Sequence, residues 1–216
     1  MKILQQLTEL NAIPGNEKEV RTYLTKAFGE VVGIENITYD NLGSVIAKKG
    51  SSGPKIAISG HMDEIGFIIS KITDEGYLRF QTVGGWWSQV MLAQQMTITT
   101  KENKKYRAVI GSKPPHILTP EDRKVPVKIE DMYLDVGVSS KDEIEKLGIR
   151  IGDMVTPSID FQVLANGDFL LAKAWDDRIG CAVILETLKK LQDVNHPNIV
   201  YAIASTQEEV GLRGAK

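Results

Sequence analysis

A single cysteine, Cys181, stands in 216 residues. No internal disulfide framework can be built from it, so the fold must rest on buried apolar surface. That usage suits a reducing compartment, and the cytoplasm is the expected location. An excess of one charge is also lacking: 26 Lys and Arg oppose 28 Asp and Glu, for a net −2. No overall field would gather nucleic acid or an anionic membrane surface, and neither is expected as a partner. No apolar run approaches the ~20 residues of a membrane helix. Residues 1–10 alternate apolar and polar positions, without the apolar stretch or cleavage site of an export signal. What is present is 42% hydrophobic and 25% charged residues, enough for a real core in one or two domains.

Val20, Tyr23, Leu24, Ala27 and Phe28 recur at helical spacing after the Pro14-Gly15 break. With Asn16 and Glu19 spaced as a capping box, they predict a surface helix covering a core. Residues 44–47 and 55–59 predict two short strands around a turn at 50–54. The second strand runs directly into Gly60-His61-Met62-Asp63, so His61 falls at a strand end. From 67 to 160 the texture changes to short β-like runs broken by Gly84-Gly85, Pro114-Pro115 and Gly152-Asp153. Beyond Ala174-Trp175-Asp176-Asp177, positions Ile179, Ala182, Val183, Leu185, Leu188 and Leu191 make a broad helical apolar face. Residues 199–204 form a continuous apolar run, the pattern of a strand buried on both faces. The expected fold is α/β: one domain from 1–66 and 161–216, interrupted by a small β-rich domain at 67–160.

Three places set ligand-type side chains beside the end of a predicted strand or the start of a helix: His61 with Asp63, Asp176 with Asp177, and Glu208 with Glu209. Sites in open α/β sheets form there. An imidazole with several carboxylates suits zinc, cobalt or manganese, whereas magnesium and calcium prefer oxygen alone. Each pair also has a plain structural reading. A surface imidazole can pair with a nearby carboxylate, an Asp doublet can cap a helix, and a Glu doublet can be a solvated strand end. Two adjacent glutamates repel unless a cation or solvent intervenes.

Gly60-His61-Met62-Asp63-Glu64-Ile65-Gly66, Ala174-Trp175-Asp176-Asp177-Arg178-Ile179-Gly180 and Gln207-Glu208-Glu209-Val210-Gly211-Leu212-Arg213-Gly214-Ala215 follow one another in order. Together they resemble the M42 peptidases, the glutamyl aminopeptidase-like or tetrahedral aminopeptidases. The resemblance implies a zinc-peptidase-like α/β domain with a β-barrel insertion that builds homo-oligomers, often a hollow dodecamer. It implies an aminopeptidase that removes N-terminal residues from peptide substrates with two divalent ions, zinc or cobalt. His61 would bind one metal, Asp176 would bridge the pair and Glu209 would bind the second. Asp63 would hydrogen-bond the other nitrogen of His61, and Glu208 would be the general base. Two further ligands, an acidic residue and a histidine, would lie beyond the third motif, whereas the sequence stops at Lys216. A fragment with weak metal binding and impaired activity is therefore expected.

Other readings compete. A glycoside hydrolase would use paired carboxylates flanking a scissile bond, roughly 5–9.5 Å apart, a geometry that adjacent Glu208 and Glu209 suit poorly. A non-catalytic oligomeric scaffold is the alternative outside enzymes. His116 beside Pro-Pro and His196 before Pro197 read as loop residues, not substitute ligands. Trp86-Trp87 reads as packing in the β domain or at an oligomer interface, and Cys181 as a small core residue.

Overall fold

The computed structural model describes residues 1–216. Along the chain run α1 (Lys2–Glu9), α2 (Lys18–Val32), β1 (Ile37–Tyr39), β2 (Val45–Lys49), β3 (Lys55–His61), β4 (Gly66–Ile72), β5 (Leu78–Val83), β6 (Gln95–Thr99) and β7 (Lys105–Gly111). Then follow β8 (Tyr133–Asp135), α3 (Lys141–Leu147), β9 (Met154–Pro157), β10 (Gln162–Val163), β11 (Leu170–Leu171), α4 (Trp175–Lys190) and β12 (Ile199–Ser205). The chain forms two compact units, one of Met1–Glu64 with Asp160–Lys216, the other of Ile65–Ile159.

The first unit is built on a four-stranded sheet in the order β1-β2-β12-β3. β12 lies antiparallel to β2 but parallel to β3, with Ala202 opposite Ile58 and Ser205 opposite His61. That parallel pair brings the C-terminal ends of β3 and β12 to the same edge, so the chain leaving His61 runs beside the chain leaving Ser205. The Met62 N–H extends the ladder one step further by donating to the Ser205 carbonyl. Val20, Leu24 and Phe28 of α2 are fully buried against Val45, Ala47, Ala202, Ala204 and the inner face of α4. Each such side chain stabilises the fold by about 1.5–3 kcal/mol through area removed from water.

The second unit is a closed barrel in the order β4-β5-β8-β7-β6-β9. Phe67, Ile69, Leu78, Met96, Ile98 and Leu134 fill its interior. Closure leaves no strand edge unpaired, which an open sheet of this size would have to protect. Trp86 packs its ring 4.6 Å from Phe67 and donates to the Gly66 carbonyl, as expected of an aromatic beside a glycine turn. Trp87 is exposed.

Local expectations differ from the structure in three places. Residues 1–10, read as an alternating stretch, contain helix α1, whose buried side is Leu7 and Thr8. The Asn16–Glu19 capping box does not form: α2 has Glu17 at its N-cap without a side-chain cap bond, and Glu19 accepts the Asn11 N–H instead. On α4 the buried residues are Arg178, Cys181, Ala182, Ile184, Leu185 and Leu188, while Ile179 and Val183 face outward at 41% and 57% exposure. The buried stripe of α4 is narrower than its apolar pattern.

Candidate metal centre

Residues from all three motifs converge where β3 and β12 end. His61, the last residue of β3, is buried. Its Nδ1 lies 2.9 Å from the Asp63 main-chain carbonyl. A carbonyl only accepts, so Nδ1 carries a hydrogen, and in the neutral imidazole Nε2 is then the nitrogen with the lone pair. That nitrogen faces carboxylates: Asp176 Oδ1 at 3.0 Å and Glu208 Oε2 at 3.6 Å. Ligand atoms of His61, Glu208 and Glu209 lie within 4.8 Å of one another. An unprotonated imidazole nitrogen pointed at anionic oxygens is repelled unless a proton or a metal cation stands between them.

The acidic residues have unlike surroundings. Asp176 is 87% exposed at its side chain and meets His61 from outside. Glu208 is 32% exposed. Burial raises the Glu209 carboxyl above its usual range, with Glu208, Asp176 and Asp63 adding to the effect and His61 opposing it. A bound cation would relieve that crowding, so the donor set of one imidazole nitrogen and several carboxylates suits a divalent d-block ion. The same closeness fits poorly with a pair of glycosidase carboxylates set across a scissile bond.

Asp63 occupies a different position from the one expected of it. Its main-chain oxygen, not its carboxylate, takes the His61 Nδ1 hydrogen; the carboxylate stands 3.7 Å from that nitrogen. The Asp63 side chain is completely buried. Its Oδ1 accepts the Glu208 N–H at 3.1 Å and its Oδ2 the Glu209 N–H at 3.0 Å. One residue thus orients the imidazole with its backbone and the glutamate loop with its side chain.

Asp177 fills the helix-capping role open to the doublet. Its Oδ1 accepts the Gly180 N–H at 3.0 Å and its Oδ2 the His61 N–H at 3.2 Å. Regular helical backbone begins only after Asp177. A Cβ at Gly60 would stand 2.8 Å from Asp177 Oδ2 and 3.0 Å from the Cys181 nitrogen. A Cβ at Gly180 would come within 2.4 Å of the same carboxylate. Glycine in the first two motifs therefore lets β3 and α4 approach closely enough to bring Asp176 to His61.

Beneath the strand end lies a buried ionic group that sequence reasoning missed. Arg178, fully buried, donates Nε to the Met62 carbonyl at 2.7 Å, Nη1 to the Leu7 carbonyl at 2.6 Å and Nη2 to Glu64 Oε1 at 3.3 Å. Lys173 donates to the Leu10 carbonyl and to Glu64. The Nε bond holds the Met62 carbonyl between the two site residues that flank it, and the others tie Glu64 and the end of α1 to the same group. Glu64 and Arg178 each stand directly after another charged residue, Asp63 and Asp177, so nothing local marks them as buried. Glu17 was missed as well: it is buried, and its Oε1 accepts the N–H of Gly15 at 2.8 Å and of Gln207 at 3.2 Å. No local pattern could reveal a bond spanning 190 positions. Cys181 is fully buried in the core, and burial pushes its thiol up to about 12. His116 lies exposed in a short helical turn of the second unit, and His196 bonds the Asn198 carbonyl; neither joins the cluster.

The model of the M42 glutamyl aminopeptidase family matches residues 43–216, and a second model, AMPT, matches residues 1–22. FrvX of Escherichia coli (strain K12) is 45% identical over all of this chain and 59% of its own length. The glutamyl aminopeptidase of Lactococcus lactis subsp. cremoris (strain MG1363) is 38% identical over 99% of this chain and 61% of its own. The TET aminopeptidase of Thaumarchaeota archaeon SCGC AB-539-E09 superposes with a TM-score of 0.94 at 43% identity, covering 100% of this chain and 61% of that one. Pyrococcus horikoshii TET1 peptidase, described as assembling into a tetrahedron or a large octahedral shell, gives 0.88 at 32% identity, covering 99% and 63%. The chain spans about 60% of the length of the curated relatives it matches. With three motifs gathered at one sheet edge and a family model spanning most of its length, the chain belongs to the M42 peptidase family.

Proposed function

We propose that this chain carries the larger part of a metal-dependent aminopeptidase centre that removes N-terminal residues from peptides. The observation behind the reading is the meeting of His61 Nε2 with Asp176 and Glu208, Glu209 lying in the same cluster. His61, Asp176 and Glu209 would hold two divalent ions, zinc or cobalt. Bound there, such ions supply Lewis acidity toward a peptide carbonyl and bring a water within reach of deprotonation near neutral pH.

The remaining chemistry belongs to the protein. His61 is held in the tautomer that leaves Nε2 free, because Nδ1–H is committed to the Asp63 carbonyl. Glu208, half-buried beside that nitrogen, is the general base in this reading. Its carboxylate takes the proton of the attacking water and returns it to the departing amine, a transfer that contributes typically 10²–10⁴-fold in rate. Asp63 sets the position of both glutamates through their amides.

Residues 1–66 and 161–216 are read as the catalytic domain, and 67–160 as an element that joins subunits in a homo-oligomer. The tetrahedral and octahedral shells described for the Pyrococcus relative support an assembly of that kind. The lone buried Cys181 suits the cytoplasm, and no helix is long and apolar enough to cross a membrane.

The test is hydrolysis of aminoacyl substrates by the purified protein before and after chelation, with zinc or cobalt restored, alongside Glu208→Gln. The impaired activity expected of a partial ligand set should vanish on chelation and return with excess metal, and Glu208→Gln should retain the parent's metal binding yet lose turnover by about 10²-fold or more. Chelator-resistant hydrolysis, or a metal-loaded Glu208→Gln turning over at the parent rate, would contradict the reading.

A further inference from the structure

The loop after β12 must present two adjacent glutamates in fixed directions, yet its backbone is not in a comfortable conformation. Gln207 has φ +53°, left-handed for a residue with a Cβ, a state that costs about 1–2 kcal/mol and needs outside support. That support comes from consecutive amides. Asp63 takes the N–H groups of Glu208 and Glu209, and the amide before them, Gln207 N–H, goes to Glu17 Oε1.

Glu17 is only 1% exposed. Its oxygen also holds the Gly15 N–H, a local turn that a solvent-facing Asp or Ser could have made. Burying a carboxylate for that turn alone would be costly without a further partner. The further partner it has is the amide of the residue preceding Glu208.

Resting on the aminopeptidase reading above, we infer that Glu17 is a positioning residue of that reaction, fixing the loop of Glu208 and Glu209 by accepting the Gln207 amide. It touches neither substrate nor metal. It acts through the backbone, and the element it contributes is a hydrogen-bond acceptor at one point. A side chain with an oxygen acceptor at the same position should therefore largely replace it, and one of equal length with only a weakly accepting thioether should not.

The experiment compares parent, Glu17→Met and Glu17→Gln in the purified protein. Without the acceptor, a shifted loop should lower kcat about 10- to 100-fold while KM stays within about twofold. Cobalt(II) affinity, read by absorbance titration in the absence of substrate, should weaken about tenfold, as for other groups that orient a metal ligand. Glu17→Gln should recover most of both losses. Glu17→Met with parent kcat and parent cobalt affinity would overturn the inference, as would Glu17→Gln proving as poor as Glu17→Met.

A measurement independent of whether Glu17→Met folds is amide hydrogen exchange across residues 206–210. The Gln207 amide should be protected in the parent and in Glu17→Gln; exchange at the unstructured rate in the parent would also overturn the inference. Absence of chelator-sensitive turnover and of cobalt binding in the parent would instead refute the aminopeptidase reading, and the exchange data would still report the hold on the loop.

Discussion

Replacing Asp63 offers a quantitative test of how the glutamate loop is held. Its carboxylate is wholly buried and accepts two backbone hydrogen bonds, at 3.1 and 3.0 Å. Hydrogen bonds to a charged group contribute about 1.5–3 kcal/mol each. Glu208 and Glu209 are only half-buried, so the lower figure applies. Asp63→Ala loses both bonds, for about 3 kcal/mol. Asp63→Asn keeps one oxygen acceptor but turns an NH₂ toward the other amide, for about 1.5 kcal/mol. Both variants also remove the charge that pushes up the carboxyls of Glu17 and Glu209. That gain is common to the two, so the difference between them isolates a hydrogen bond. Urea unfolding of the metal-free protein, at unchanged m-value, measures these costs. If both variants stay within about 0.5 kcal/mol of the parent, the Asp63 carboxylate does not hold the loop.

Gly60→Ala should destabilise the protein by about 1–3 kcal/mol, because its Cβ would meet Asp177 Oδ2 at 2.8 Å and backbone at 3.0 Å; an unchanged Tm would show that β3 and α4 can separate freely. Burial raises the Glu17 carboxyl above 4.5. The stability linked to an acid raised in the folded state is fully present below its unfolded value and is lost as pH rises through the folded one. Glutamine does not titrate, so the Tm of Glu17→Gln minus that of the parent should grow more positive from pH 4.5 toward neutrality, and a flat or falling difference would contradict it. Cys181, buried with its thiol near 12, should resist thiol reagents in the native protein and react with one equivalent in guanidinium; rapid native labelling would disprove its core position.

The sequence carried the sheet ends well because their signals are local. A continuous apolar run at 199–204 becomes β12, and the apolar stretch before Gly60 becomes β3. Joined in parallel, these put His61 beside the chain leading to Glu208 and Glu209. Asp176 reaching His61 follows from glycines at 60 and 180, which are visible in the motifs although their contact with Asp177 is not. Less legible were bonds that depend on a side chain's choice among several partners. Glu19 was free to cap α2 but binds Asn11 N–H, and the Asp63 carboxylate was free to bind His61 but takes two amides instead. Glu17 lies so far from Gln207 in the chain that only tertiary structure joins them. The outward turn of Ile179 and Val183 has a similar origin, since helical period alone does not say how wide a neighbour will cover α4.

Anomalous diffraction from a crystal of the cobalt-loaded protein tests the central claim most directly. Cobalt peaks are expected in contact with His61 Nε2 and with the carboxylates of Asp176 and Glu209. Peaks only at other residues, with His61 Nε2 still bonded to Asp176 and no metal between them, would contradict it.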